Sequence, residues 1–171
     1  MYWLEEPHDV TGPWTRHVID QTLSHPTHCD LGDFSGEGHR KDVVVGGRDT
    51  EVVAWYQFSD AWRRHEIPLP EIAPGVQANH LWNVRAVPYG GPRDGILTPA
   101  NRRNRGALLL FEFIGGAYRP NPLLPIDYGH PMDDRIVLWD LDGDGRTEAI
   151  IPDSGPGVNR LWIVKFAVRT E

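Results

Sequence analysis

Two kinds of hydrophobic pattern run along this chain, and both have the short period of β-structure. Segments such as Trp14-Thr15-Arg16-His17-Val18-Ile19 and Trp62-Arg63-Arg64-His65-Glu66-Ile67 alternate apolar and polar residues, which predicts strands with one buried face. Others, including Asp42-Val43-Val44-Val45, Val52-Val53-Ala54-Trp55-Tyr56-Gln57-Phe58, Ala107-Leu108-Leu109-Leu110-Phe111-Glu112-Phe113 and Leu161-Trp162-Ile163-Val164-Lys165-Phe166, are nearly unbroken apolar runs. Runs of that length between turn residues predict strands buried on both faces. No stretch between turn residues carries a helical stripe, so the expected fold class is all-β.

The segments recur in order. Leu31-Gly32-Asp33-Phe34-Ser35-Gly36-Glu37-Gly38 leads into the run at 42–45, and Leu138-Trp139-Asp140-Leu141-Asp142-Gly143-Asp144-Gly145 leads into Glu148-Ala149-Ile150-Ile151. Asp33 and Asp140 stand 107 residues apart, two periods of about 50 to 55 residues. Trp55 and Trp162 each follow the acidic start by 22 residues, which aligns the two aromatic strands on those tryptophans. A weaker middle copy continues into Tyr118-Arg119-Pro120-Asn121-Pro122-Leu123, and Tyr2-Trp3-Leu4-Glu5 opens the chain as a partial one. Four short antiparallel strands per unit, with a Trp and a Gly-rich turn, describe blades of a β-propeller. The expected division is a blade remnant over 1–24, full blades over 25–69 and 76–124, and an incomplete blade over 130–171. About three blades are too few to close a ring of the usual four to eight. The chain is therefore expected to be one part of a larger propeller or a protomer whose ring is completed by another copy.

Composition narrows the partners. With 17 Lys plus Arg against 24 Asp plus Glu, the net charge of −7 argues against nucleic acid. A single Cys excludes an internal disulfide framework and a thiolate zinc site. Apolar runs are too short to span a bilayer, so no membrane insertion is expected, and the amino terminus has no signal-peptide profile. Gly-x-Ser-x-Gly, P-loop, His-Glu-x-x-His and Cys-x-x-Cys patterns do not occur.

The candidate chemistry lies in the turns. Asp140-x-Asp142-x-Asp144-Gly145-x-x-Glu148 places carboxylates at alternate positions of a tight loop, with the carbonyl of Arg146 between the last two. Such oxygens can converge on a hard cation, and Ca2+ suits them. The earlier copy offers Asp33, Ser35 and Glu37, with Asp42 closing one residue late, as a second candidate. The middle copy keeps only Asp94 and is assigned no metal.

At these residues the chain resembles the FG-GAP or VCBS repeat family, the integrin-alpha type of β-propeller, whose blades carry Asp-x-Asp-x-Asp-Gly-x-x-Asp between their first two strands. The resemblance covers nearly the whole chain and is most specific at 138–151 and 31–46. It implies a calcium that staples a loop, and a location outside the cytoplasm, extracellular or periplasmic.

Antiparallel order sends the remaining turns to the opposite end of every blade, where a ligand could bind. Candidates there are His25, His28, His80 and His130, with Arg48, the cluster Arg102, Arg103 and Arg105, and Arg160. His17 and His65, each three residues after a Trp, read as packing residues, as do the tryptophans themselves, and Cys29 as buried and inert. The expected function is a calcium-stabilised scaffold that recognises protein or carbohydrate without catalysis. The alternative is a fragment of a propeller enzyme acting on sugars, a polysaccharide lyase or a protein resembling aldos-2-ulose dehydratases.

Overall fold

A computed structural model of the chain describes residues 1–9, 11–39, 41–81, 83–102, 105–126, 136–155 and 158–166, with side chains at 102, 105, 125–126, 153–155 and 158–159 excepted. These residues form sixteen strands and no helix. The strands assemble into separate antiparallel sheets, none closed into a barrel.

The first sheet pairs β1 (Tyr2–Glu5) with β2 (Thr15–Val18). The second runs in chain order through β3 (Pro26–Gly32), β4 (Asp42–Gly47), β5 (Val52–Phe58) and β6 (Trp62–Pro68). A small hairpin, β7 (Glu71–Ala73) and β8 (Val76–Gln77), follows it. The third sheet joins β10 (Arg85–Val87), β11 (Gly95–Arg102), β12 (Arg105–Ile114) and β13 (Ala117–Ile126), with the short β9 (His80–Leu81) also paired to β11. The fourth is β14 (Val137–Trp139), β15 (Glu148–Gly155) and β16 (Val158–Lys165).

Three cores hold the sheets face to face. Val43, Val45, Ala54 and Tyr56 on one face of the second sheet meet Met1, Ile19 and Leu23. Val44, Val53 and Trp55 on its other face pack with Ala86, Ile96, Leu109 and Phe111 of the third. Leu97, Leu108 and Leu110, on the far face of the third sheet, pack with Ala149, Ile151 and Phe166 of the fourth. Interior strands thus bury both faces, which explains the unbroken runs at 43–45 and 107–111. Leu108 and Leu109 are 0% and 1% exposed although they point to opposite cores. The strands that open the second, third and fourth sheets lie side by side: the Ala86 amide donates to Asp30 (3.0 Å), and the Arg85 guanidinium donates to the carbonyl of Ile136, just before β14 (3.0 Å). At the other edge of the third sheet, Pro120 and Pro122 in β13 remove amide donors, which blunts that edge against further pairing.

The expected packing roles hold for some residues and fail for others. His17 stacks on Trp3 at 4.2 Å and His65 on Trp55 at 4.0 Å, both nearly parallel. Trp14, by contrast, is exposed, because no described residue buries the outer face of the two-stranded first sheet, and Trp139 is exposed on the outer face of the fourth. Cys29 is exposed rather than buried: it shares the face of Val45, but on the edge strand β3 the packing of Met1, Ile19 and Leu23 over that face does not bury it.

The alignment of Trp55 with Trp162 is also corrected. Asp42 pairs with Gly32 and Glu148 with Trp139, so the two closing carboxylates are structurally equivalent although the first loop is one residue longer. Two residues beyond them, Val44 pairs with Trp55 and Ile150 with Ile163. Ile163, not Trp162, therefore occupies the place of Trp55. In a strand this one-residue offset puts Trp162 on the opposite face from the place of Trp55: Trp162 packs against the core shared with the third sheet, while Ile163, on the face that the third sheet covers in the second, is 60% exposed.

Candidate metal centre

The turns that join the first two strands of the second and fourth sheets are built alike. Asp33 Oδ1 accepts the amide of Gly36 (2.8 Å) and Oδ2 that of Gly38 (2.8 Å). Asp140 does the same, Oδ1 with Gly143 (2.8 Å) and Oδ2 with Gly145 (2.9 Å). All four glycines have φ between 74° and 83°, the left-handed region where a side chain is strained, so the carboxylate and the two glycines together define the turn. The closing acid then reaches back to the amide after the leading Asp: Asp42 Oδ2 to Phe34 (3.0 Å), Glu148 Oε2 to Leu141 (2.8 Å).

The two loops differ in what their oxygens have left to offer. In the fourth sheet, Asp140, Asp142 and Glu148 bring one oxygen each to within 4.8 Å of one another, the one such group of three among the described residues. Glu148 is 3% exposed, and its Oε1 is buried and accepts no hydrogen bond. A buried carboxylate oxygen without a donor is costly, and this one belongs to a carboxylate that converges with two others. The charge in the loop is met by Lys165, which pairs with Glu148 across β15 and β16. Its ammonium contacts Asp142 Oδ2, Asp144 Oδ2 at 2.9 Å and Glu148 Oε1 at 3.9 Å. Hydrogen bonds to Asp142 and Asp144 hold the Lys165 ammonium above its ordinary range, and the Lys165 bond, followed by the Arg146 amide, holds Asp144 below the usual carboxylate range. Asp144 thus turns to Lys165 and lies outside the close triad.

The first loop spends its carboxylates on the backbone. Asp42 is fully buried, its Oδ2 accepting the amides of Phe34 and Ser35 and its Oδ1 that of Phe58. Asp33 Oδ1 takes a further amide from Glu37, and Glu37 itself accepts from Gln57 Nε2 (2.8 Å) and faces His39 Nε2 (3.2 Å). Position three is Ser35, which brings no charge. In the middle turn Asp94 is used between sheets: its Oδ2 accepts the Asp33 amide (3.0 Å), and its own amide donates to the Asp33 carbonyl (2.9 Å). Arg93 donates to the Phe34 carbonyl and lies 3.9 Å from the Phe113 ring centre.

The opposite ends of the strands gather several of the ligand candidates. Arg48 bridges to His80 and its amide donates to the His25 carbonyl (3.0 Å). Asp49 sits between Arg48 (3.7 Å) and the His80 Nε2 (3.5 Å), while His80 Nδ1 meets Asn79 Oδ1 (2.9 Å). His25 and Asp49 are the two non-glycine residues with positive φ among those described, at 39° and 60°. His28 lies further along β3, across from Gly46. Arg160 is exposed on β16, 5.4 Å from the Trp162 ring. Arg102 and Arg105 pair with each other through their backbones at the β11 to β12 turn. Arg103 and His130 lie outside the described residues.

Sequence reasoning missed Lys165, Asp94 and Gln57. Only strand register reveals that Lys165 stands over the acidic loop, because its partners lie 17 to 23 residues earlier. Asp94 carried one signal, its place as the terminal acid of the middle copy, although the structure turns it toward the neighbouring loop. Comparison with family models, curated proteins and solved structures finds no match to this chain.

Proposed function

We propose that the chain is part of a calcium-stapled β-propeller that serves as a recognition scaffold for a protein or carbohydrate ligand. The observation that carries this reading is the recurrence, in the second and fourth sheets, of one loop built from a leading Asp, two left-handed glycines and a closing carboxylate at the same register. Local structure repeated to this detail is the mark of a repeat architecture. Sheets stacked face to face, with opening strands adjacent, are what propeller blades require.

Asp140, Asp142 and Glu148 would hold the ion. They fit it: the donors are hard carboxylate oxygens, and the buried Oε1 of Glu148 lacks a hydrogen-bond donor. Calcium there would staple a turn and perform no chemistry. Three carboxylates on an otherwise exposed turn suit the affinities of about 10⁻⁴ to 10⁻³ M found in extracellular modules, in keeping with a location outside the cytoplasm. The ligand would bind at the other end of the strands, where His25, Arg48, Asp49 and His80 meet.

Thermal melting in calcium and in chelator tests the reading. At a calcium concentration a hundredfold above Kd, the native state gains about 2.7 kcal/mol, so the melting temperature rises in calcium for the natural chain and stays level for Asp142→Ala. A natural chain that melts identically in both conditions sinks the metal site.

A further inference from the structure

We infer that Lys165 is a tethered counter-cation that holds the 140–148 loop together without metal and must withdraw when calcium binds, setting the affinity of the site low. The inference rests on the calcium reading above and assigns a residue that no part of the acidic motif contains.

The geometry carries it. The Lys165 ammonium lies among the oxygens of Asp142, Asp144 and Glu148, two of which belong to the triad that could hold a metal. Lys165 reaches them from β16, directly across from Glu148 on β15, so its stem is anchored by the sheet while its head enters the loop. Two cations cannot share the same few ångströms of carboxylate: at 4 Å, like unit charges repel by about 4 kcal/mol at an effective dielectric of 20. A calcium ion carries twice that charge and draws on the same Asp142 carboxylate that Lys165 contacts. Metal entry therefore breaks the Lys165 pairs. At 48% exposure the side chain has room to swing into solvent, where its ammonium is well hydrated.

The sister loop shows the alternative. The register that places Val43 against Tyr56 puts Gln57 over Asp42, the position equivalent to Lys165 over Glu148. Gln57 is neutral and donates to Glu37 (2.8 Å), and the loop beneath it turns its closing carboxylate to three backbone amides instead. Both loops meet acids with backbone amides, but only the 140–148 loop adds an ammonium that can leave.

The test uses the full chain and Lys165→Gln, which installs the side chain of the sister loop, with Lys165→Met as a second variant that keeps the apolar stem. Calorimetric titration with calcium chloride should show affinity at least tenfold tighter in both variants than in the natural chain. In chelator the variants should melt below the natural chain, and in saturating calcium the gap should close. Equal or weaker calcium affinity in the variants overturns the inference and leaves the metal site standing. Absence of calcium binding in all three chains overturns the metal reading itself.

Discussion

Asp42 and Glu148 are the same structural device used to different ends. Both are nearly inaccessible, both reach back across the loop to the amide after the leading Asp, and only Asp42 has every oxygen engaged. Because hydrogen bonds to a charged acceptor contribute about 1.5 to 3 kcal/mol and orphaned buried amides add a penalty, Asp42→Ala should cost about 3 kcal/mol in urea unfolding. A loss under about 1 kcal/mol would show that water replaces the carboxylate. His65 contributes at a different pH. Burial, then the nearby Arg63, and also Arg93, hold its imidazole below its ordinary value, with Asp42 opposing. The unfolded chain therefore takes up the proton first as pH falls, so this stability is complete above about 6.5 and declines as pH drops through the folded value. The urea midpoint of the natural chain should fall more steeply between pH 7 and 5 than that of His65→Gln, and parallel profiles would remove His65 as the cause. Asp20 acts lower still. Burial pushes its carboxyl up, but Tyr56, Thr22 and Arg64 together hold it well below the usual range, so its contribution is lost only as pH falls beneath about 4.

At the scale of strands, pattern alone located most elements. Val52–Phe58 and Trp62–Pro68 lie where the aromatic and alternating segments place them. Two features escaped. The hairpin of β7 and β8 has too few residues for any period to register, and it is held instead by contacts such as the Gln77 side chain on the Leu69 carbonyl. The equivalence of Trp55 and Trp162 failed because the first acidic loop is one residue longer while the hairpin from β15 to β16 is two residues longer than that from β4 to β5, a net shift of one, and spacing counts residues without knowing which are paired. Close approach between elements was equally hidden. At Gly32 a Cβ would lie 2.9 Å from Ala86 Cβ and 2.6 Å from Phe34 Cζ, where β3 meets β10. Gly32→Ala should therefore destabilise by about 1 to 3 kcal/mol, measurable by thermal melting, and a neutral result would mean that the two sheets separate freely at that edge.

The molecule as a whole ends in two uncovered faces. On the fourth sheet Val137, Trp139, Leu161 and Ile163 are 50% to 65% exposed, at positions like those of Val53 and Trp55 that the next sheet buries in the second. On the first sheet Tyr2, Leu4 and Val18 are 47% to 57% exposed. Contiguous apolar faces of this kind attract partners. In the proposed architecture they are where further blades pack, from the rest of a longer propeller or from a second copy. The 171-residue chain should accordingly self-associate with rising concentration in light scattering, and Trp139→Ser with Ile163→Lys should suppress it. A concentration-independent monomer in the natural chain would count against the stacked-blade reading. Among the described residues no helix is long and apolar enough to cross a membrane.

The all-β class, the strand positions and the acidic loops were legible because each depends on residues near one another in the chain: a period of two, a Gly at a left-handed position, an Asp that bonds amides three and five residues on. The double burial of 107–111 was legible too, as an apolar run. Which carboxylates retain a free oxygen was not, since Asp42 and Glu148 look alike until their amide partners are counted. Nor could the chain order show that Lys165 hangs over Glu148 while Gln57 hangs over Asp42, or that Asp94 belongs to the neighbouring loop. Those facts depend on register between strands and on packing between sheets, where a displacement of one residue exchanges buried for exposed and a charged partner for a neutral one.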